Sequence, residues 1–340
     1  MRVEDFWYVV AESHELRPGV VLARKVLGEW LAVFRGPDGR PTALQDRCKH
    51  RNGRLSSGTV KAGCLACPYH GWTYDAAGQV VAVPAEGASF KATPGRRGQA
   101  YATREQDDFV YVRLAAEPAV EVEPFRMPHY REPGYRTVRL QNRMNNNVTN
   151  CAENFIDIPH TVFVHPGIFR KPRAQRLTAT VTRKDGQVHA NYRGETDNLG
   201  WFRWFLNPGG REIRHVDSFY MPNVTSVIYE FGPRRVFVIT SQSVPAADDD
   251  TLVYTDLTFD YGFWNHFAAP IVRWQSQKVI DQDVAALAAQ HEVIAKYGES
   301  FSNTSADIIH VFVESIREAL AKGEDPRALP EREVEVEFLV

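Results

Sequence analysis

The sequence predicts a two-part α+β fold: an all-β domain over residues 1–115, a linker over 116–135, and a mixed α+β domain over 136–340. Three observations carry this. The first third is a series of short runs rich in Val and aromatic residues, separated by turn-forming Gly and Pro. A Pro- and Glu-rich stretch, AAEPAVEVEPFRMPHYREPG, comes next, a composition that favours an extended connection. The remainder mixes alternating runs with two long helical patterns.

Taken in order, the strands of the first part are VVLARKVL, WLAVFRG, TALQD, QVVAVP and FVYVRLA. Turns fall at Pro37–Arg40, at 76–78 and at 94–97. In the second part VTNCAENFIDIPHTVFVHPG has helical character. RLTATVTRKDGQVHANYRGE, VTSVIYEFG, RVFVITSQSV and TLVYTDLTFDYG alternate like antiparallel strands. A long helix runs from Pro270 to a stop at Gly298. A second is capped by Ser305 and stopped by Gly323.

A net charge of −2 gives no overall attraction for nucleic acid or an anionic membrane. No apolar run reaches the length of a membrane span, and the run Phe6–Ala11 is too short, beside Glu4, Asp5 and Glu12, for a signal peptide. Three of the four cysteines fall within residues 48–67, interleaved with histidines. A disulfide framework would spread them out, so the pattern reads as metal ligation in a reducing compartment, and a cytoplasmic location is expected.

The first candidate site is Cys48-x-His50, sixteen residues, then Cys67-x-x-His70. Each of two loops offers one thiolate and one imidazole. Zinc takes Cys₂His₂ sets, but the usual finger pairs Cys with Cys and His with His around a helix. A [2Fe–2S] cluster with two Cys on one iron and two His on the other suits the division better. Pro68 and Gly71 suit a tight loop closing over the sulfurs. Cys64 makes a competing Cys64-x-x-Cys67 pair, which by itself would suggest zinc or a redox dithiol.

CKHRNGRLSSG followed by CPYHGWTYD resembles the Rieske segment of the non-haem iron ring-hydroxylating and demethylating oxygenases. Lys49 and Asn52 depart from that family's usual Cys-Pro-His-Arg-Gly. ENFIDIPHTVFVHPG resembles the same family's iron-binding motif, through Glu153, Asn154, Asp157-x-x-His160 and His165. The resemblance implies that His160 and His165 bind a mononuclear iron, completed by a distant carboxylate. Asp281 and Asp283 are the choices. At about 100° per residue, Asp283 falls within roughly 60° of Val279, Ile280, Leu287 and Gln290, whereas Asp281 lies nearly opposite. An acid on an apolar stripe is expensive unless a cation neutralises it, so Asp283 is the expected ligand. The family's pattern also falls on Asp283, Leu287 and Gln290, with Ala288 where Glu is usual. His160 and His165 would diverge by about 140° on a regular helix. Pro159 and Pro166-Gly167 offer the bend they need. Asp157, three residues before His160 on the same helical face, is placed to hold a ligand imidazole.

The resemblance covers nearly the whole chain. It implies a Rieske domain followed by a helix-grip catalytic domain, in a head-to-tail homotrimer where Asp157 joins His160 to His70 of a neighbour. It further implies oxidation of a small, largely apolar, aromatic or polycyclic substrate by O₂, favouring monooxygenation (hydroxylation or demethylation). Electrons would come from NAD(P)H through a separate reductase, with or without a ferredoxin. The absence of a Gly-rich dinucleotide fingerprint agrees with that division. Arg47, Lys49, Arg51, Arg54 and Lys61 could steer an acidic donor. Two aromatic clusters, Trp201, Phe202, Trp204 and Phe205, then Phe259, Tyr261, Phe263 and Trp264, are candidate pocket walls, with ordinary core packing as the alternative that explains most such clusters. A Rieske electron carrier without catalysis and a zinc-stabilised binding module are the rival classes.

Overall fold

The computed structural model describes residues 1–166, 176–195, 213–232 and 235–339. They form two compact units: Arg2–Arg126 with Pro245–Ala247, and the remainder. No regular element lies between Arg113 and Arg136.

The first unit is built on ten strands: β1 (Tyr8–Glu12), β2 (Val21–Val26), β3 (Glu29–Arg35), β4 (Pro41–Gln45), β5 (Thr59–Lys61), β6 (Cys64–Ala66), β7 (Thr73–Tyr74), β8 (Val80–Ala82), β9 (Ala100–Gln106) and β10 (Phe109–Arg113). Six make one antiparallel sheet, in the order β1-β10-β9-β4-β3-β2, and β5-β6-β7-β8 make another. Phe34, Leu44, Leu55 and Leu65 are fully buried between them. Each such side chain contributes about 1.5–3 kcal/mol relative to exposure. Ala62 and Gly63 both take positive φ (48° and 73°), the two-residue turn that matches strand twist between β5 and β6.

The second unit holds β11 (Arg136–Met144), β12 (Arg176–Lys184), β13 (Gln187–Arg193), β14 (Arg214–Tyr220), β15 (Val224–Glu230), β16 (Val236–Ala247, whose last three residues group with the first unit), β17 (Asp250–Asp260) and β18 (Arg332–Leu339). They form one antiparallel sheet in the order β11-β17-β16-β15-β14-β13-β12-β18. Among the described residues four helices accompany it: α1 (Val148–Asn154), α2 (His160–Val164), α3 (Asn265–Tyr297) and α4 (Ile308–Ala321). Val138, Leu140, Val253, Leu257 and Phe259 of the sheet bury Ile280 and Leu287 of α3. That is the α+β arrangement expected from the sequence.

Three local readings need correction. The cap before α4 is Thr304, not Ser305: its hydroxyl accepts from Ala306 N while Asp307 reaches back to its backbone, a reciprocal capping box. The long helix starts five residues before Pro270, because a proline early in a helix interferes only with the first turns. Asp157 lies before α2 rather than on a helix with His160, since that helix begins at His160 with Pro159 as its cap.

Candidate metal centres

In the first unit, two loops repeat one backbone design. After β4, Asn52 N donates to Cys48 O at 3.0 Å; after β6, Gly71 N donates to Cys67 O at 3.0 Å. The donor, four residues beyond each cysteine, takes a left-handed conformation, with φ 57° at Asn52 and 73° at Gly71. Asn is the non-glycine residue that tolerates this best, which explains its place in the first loop. Arg47 Nε fixes the Asn52 side chain at 2.8 Å.

The design brings Cys48, His50, Cys67 and His70 together. Both cysteines are buried, and Cys48 lies near enough to Cys67 to push its thiol up. The two imidazoles meet edge-on with ring centroids 4.5 Å apart. His50 stacks on Trp72 at 4.8 Å and His70 is exposed. Tyr74, a partner that sequence reading missed, bonds Cys48 Sγ through its hydroxyl at 3.2 Å. Burial pushes the Cys67 thiol up, against the amides of Tyr69 and His70 that donate to its sulfur.

These residues fit a cluster. His50 Nδ1 is buried without a hydrogen-bond partner, and a Cβ at Gly53 would sit 3.1 Å from Cys67 Sγ. An orphaned ring nitrogen, two facing sulfurs and amides aimed at sulfur are the donor set of a two-thiolate, two-imidazole centre. Cys64 stands apart: after burial, its electrostatic neighbour is Asp75. Of the nearby cations, Arg54 is tied to Asp46 at 2.8 Å and lies over Trp30, while Arg47, Lys49, Arg51 and Lys61 are exposed.

In the second unit, His160 opens α2 and His165 ends it with φ −118° and ψ 58°. This break turns both imidazoles inward, with ring centroids 5.3 Å apart. Asp283 arrives from the buried stripe of α3 beside Val279, Ile280 and Leu287, as the helical phase requires. Asp281 is exposed and accepts from Gln277 Nε2 at 2.8 Å.

One ligand atom from each of His160, His165 and Asp283 lies within 4.8 Å of the others, the one such His/Cys/Asp/Glu group among the described residues. Asp283 Oδ1 is 3.0 Å from His165 Nε2 and 3.6 Å from His160 Nε2, but aligned for a hydrogen bond with neither. Buried donor atoms that converge on a point without bonding each other fit a cation. Burial opposes the Asp283 charge, yet the two imidazoles hold its carboxyl below the usual range. Burial likewise opposes a charged His160, and Asp157 and Asp283 outweigh it, raising the ring to about 9.

Partners on the far ring nitrogens set the direction of both histidines. Asp157 Oδ2 is 3.2 Å from His160 Nδ1, and Gln282 Oε1 is 2.9 Å from His165 Nδ1. Gln282 carried no sequence signal. Gln290 accepts from Asn146 Nδ2, which also bonds Leu287 O, so the Asp283-Leu287-Gln290 pattern ties α3 to the start of α1. Glu153 turns away from the triad and bonds His310.

The triad opens into a cavity of about 110 Å³ whose apolar wall includes Ile156, Val227, Phe237, Ile239 and Leu257. None of Phe259, Tyr261, Phe263 and Trp264 lines it: the first two are in the core, and the others are exposed. Trp201, Phe202, Trp204, Phe205 and Gly167 lie outside the described residues. The cavity's polar wall holds an unforeseen cluster, in which His215 lies between Glu195 and Asp217.

Comparison with known proteins fits both centres. Residues 6–100 match the family described as Rieske [2Fe-2S] domain, and residues 144–322, more than half of the chain, match the vanillate O-demethylase oxygenase C-terminal domain. The chain belongs to the Rieske non-haem iron oxygenases. Dicamba O-demethylase, oxygenase component, of Stenotrophomonas maltophilia is 32% identical over 55% of this chain and 55% of its own length. Methylxanthine N1-demethylase of Pseudomonas putida is 32% identical over 56% of this chain and 55% of its own. The chain thus spans about half the length of these curated relatives. A crystal structure of dicamba monooxygenase bound to dicamba shares the fold, with a TM-score of 0.79 and 23% identity over 94% of this chain and 98% of that one.

Proposed function

We propose that this chain is the oxygenase component of a multicomponent monooxygenase that hydroxylates or oxidatively demethylates a small, largely apolar, aromatic substrate. The observation that carries the reading is the convergence of His160, His165 and Asp283 on a cavity with an apolar wall, in a chain whose other unit gathers Cys48, His50, Cys67 and His70. The first set would hold iron and the second a [2Fe–2S] cluster. When bound, the cluster supplies single electrons and the iron supplies a redox-active centre with open positions for O₂.

The chain's own residues do the rest. Asp157 and Gln282 accept from the far nitrogens of His160 and His165, fixing each ring so that Nε2 faces Asp283. Ile156, Val227 and Phe237 exclude water and favour an apolar ligand body. Tyr74 and the amides of Tyr69 and His70 stabilise negative sulfur. The cluster face around exposed His70 suits docking of an external reductase or ferredoxin fed by NAD(P)H, with Arg47, Lys49, Arg51 and Lys61 as its cationic rim. We place the protein in the cytoplasm as a homotrimer.

In that trimer Asp157 would bridge His160 and a neighbour's His70. Two observations support this: Asp157 is 42% exposed while bonded to His160, and His70 is exposed. Asp157→Ala should therefore keep its cluster spectrum and most of its iron while losing nearly all substrate oxidation. Rapid mixing of the reduced variant with O₂ and substrate checks it, since wild-type cluster reoxidation would place Asp157 off the path. The overall reading is tested by aerobic turnover with reductase, NADH and a panel of apolar aromatics, scored by mass spectrometry for oxygen from labelled O₂.

A further inference from the structure

The outer face of α3 changes character halfway along. At about 100° per residue, Phe267, Ile271, Trp274 and Lys278 fall within roughly 60° of one another. Phe263 and Trp264, in the turn that leads into the helix, extend the row. These aromatic residues and Ile271 are between 47% and 80% exposed. Phe263, Trp264 and Phe267 form one cluster, with ring centroids 5.8 to 6.2 Å apart. On the opposite side of the helix, Ala268, Val279 and Ile280 are buried. The first half of α3 thus has two apolar faces, and the core uses one of them. Beyond Lys278 the outer face reads Asp281, Ala285, Ala289, Glu292 and Lys296, the small and charged residues expected of a solvated surface.

Large apolar side chains that adjoin one another in the open mark a contact surface, unlike singly scattered ones. Charge says what it contacts. Between Asp260 and Asp281 the sequence has no acidic residue, but it has Arg273 and Lys278, both exposed. Lys278 Nζ lies 3.9 Å from the centroid of the Trp274 ring, so a cation sits directly on the apolar row. Trp, Phe and Ile edged by cations are the side chains of an interfacial helix: the rings enter the headgroup layer and the cations meet anionic headgroups. A second copy is a poorer occupant, because two-fold pairing would set this cationic stretch against itself with no acid of its own to meet. The net charge of −2 conceals the local excess, since it includes acids placed elsewhere in the chain.

We propose that the outer face of α3, with the turn before it, from Phe263 to Lys278, is a docking surface for a lipid bilayer carrying anionic headgroups. The rings enter the interface, and Arg273 and Lys278 pair with lipid phosphates. The contact is peripheral: no helix among the described residues is long and apolar enough to cross a membrane. Ser276, Val279 and Ile280, on the other side of the same turns, line the triad's cavity. Docking would hold that cavity roughly one helix diameter from the headgroups.

Sedimentation of the metal-loaded full chain with vesicles tests this. One set is phosphatidylcholine alone, and the other carries phosphatidylglycerol as well. The wild type should pellet with the mixed vesicles at low salt and be released as salt rises. The double variant Phe267→Ser, Trp274→Ser should partition at least ~10-fold less. Arg273→Gln should weaken binding to the mixed vesicles about fivefold and leave binding to phosphatidylcholine unchanged. Val293→Ser, at an exposed position of α3 beyond the row, should bind as the wild type does. Failure of the wild type to pellet, equal pelleting of the double variant, or indifference to phosphatidylglycerol overturns the proposal. So does self-association that the double variant abolishes in the absence of any vesicle binding, which would give the face to a second copy. If the double variant does not fold, the wild type's lipid preference and Arg273→Gln decide. No turnover is read, so the outcome is independent of the oxygenase reading.

Discussion

Asp283→Ala should emerge from purification with its visible colour intact and without its mononuclear iron. Substrate oxidation should fall by more than ~100-fold, because loss of a residue that merely orients a ligand already costs about 10–100-fold. The structural reason is that Asp283, alone among the described residues, brings a carboxylate to the Nε2 side of both His160 and His165, from a buried position that neither imidazole can fill. Asp281→Ala is the matched control. Two residues away, it faces solvent and bonds only Gln277 among the partners seen, so its loss should cost within ~0.5 kcal/mol of stability and no iron. Metal analysis of both variants beside their visible spectra decides. Equal iron loss from the two would remove the helical-phase argument.

Cys67→Ser should produce the opposite signature: a bleached protein that cannot pass electrons from reductase to substrate. Burial and the neighbouring Cys48 push the Cys67 thiol up, and the amides of Tyr69 and His70 oppose them, so its sulfur becomes a thiolate only with a positive centre to hold it. A serine oxygen is a harder and poorer ligand for a cluster iron. Cys64→Ser should stay coloured and active, because Cys64 has Asp75 rather than the other sulfurs as its electrostatic neighbour. Visible absorbance and iron per chain separate the outcomes. A colourless Cys64 variant would reassign the ligands, and a colourless wild type would favour zinc.

What was legible in the sequence was whatever a short segment decides alone. Each cluster loop carries its cysteine, its histidine and its turn residue within six positions, and the structure gathers these residues. Asp283 could be chosen over Asp281 because a helix has one period, and the apolar residues around it declare the buried face. The need for a break between His160 and His165 followed from the same geometry. Strand partners were not legible. His215 and Asp217 alternate like any half-buried strand, and only the register across β13, β14 and β15 puts Tyr192 and Tyr229 on either side of the ring. The aromatic residues near Tyr261 left core and pocket open for the same reason, since composition does not say whether a ring meets the core, the solvent or a cavity. β18 escaped notice because REVEVEFL reads as charge; its glutamates pair with Arg176 and Arg193 along the sheet edge.

The twin loops of the first unit differ in one respect that bears on how the sequence can change over time. Both require a left-handed residue four places after the cysteine, but the space around that residue is not the same. At Gly71 a Cβ would lie 2.7 Å from the ring of Pro84, so conformation and crowding together confine the position to glycine. Asn52 is exposed, and its side chain reaches outward to Arg47. Position 52 is therefore open to any residue that accepts the backbone, while position 71 is closed. Mutational drift is channelled onto the outer face of the first loop, among Arg47, Lys49 and Arg51. The charge presented to a docking protein can be retuned there, one substitution at a time, without disturbing the backbone that gathers the ligands.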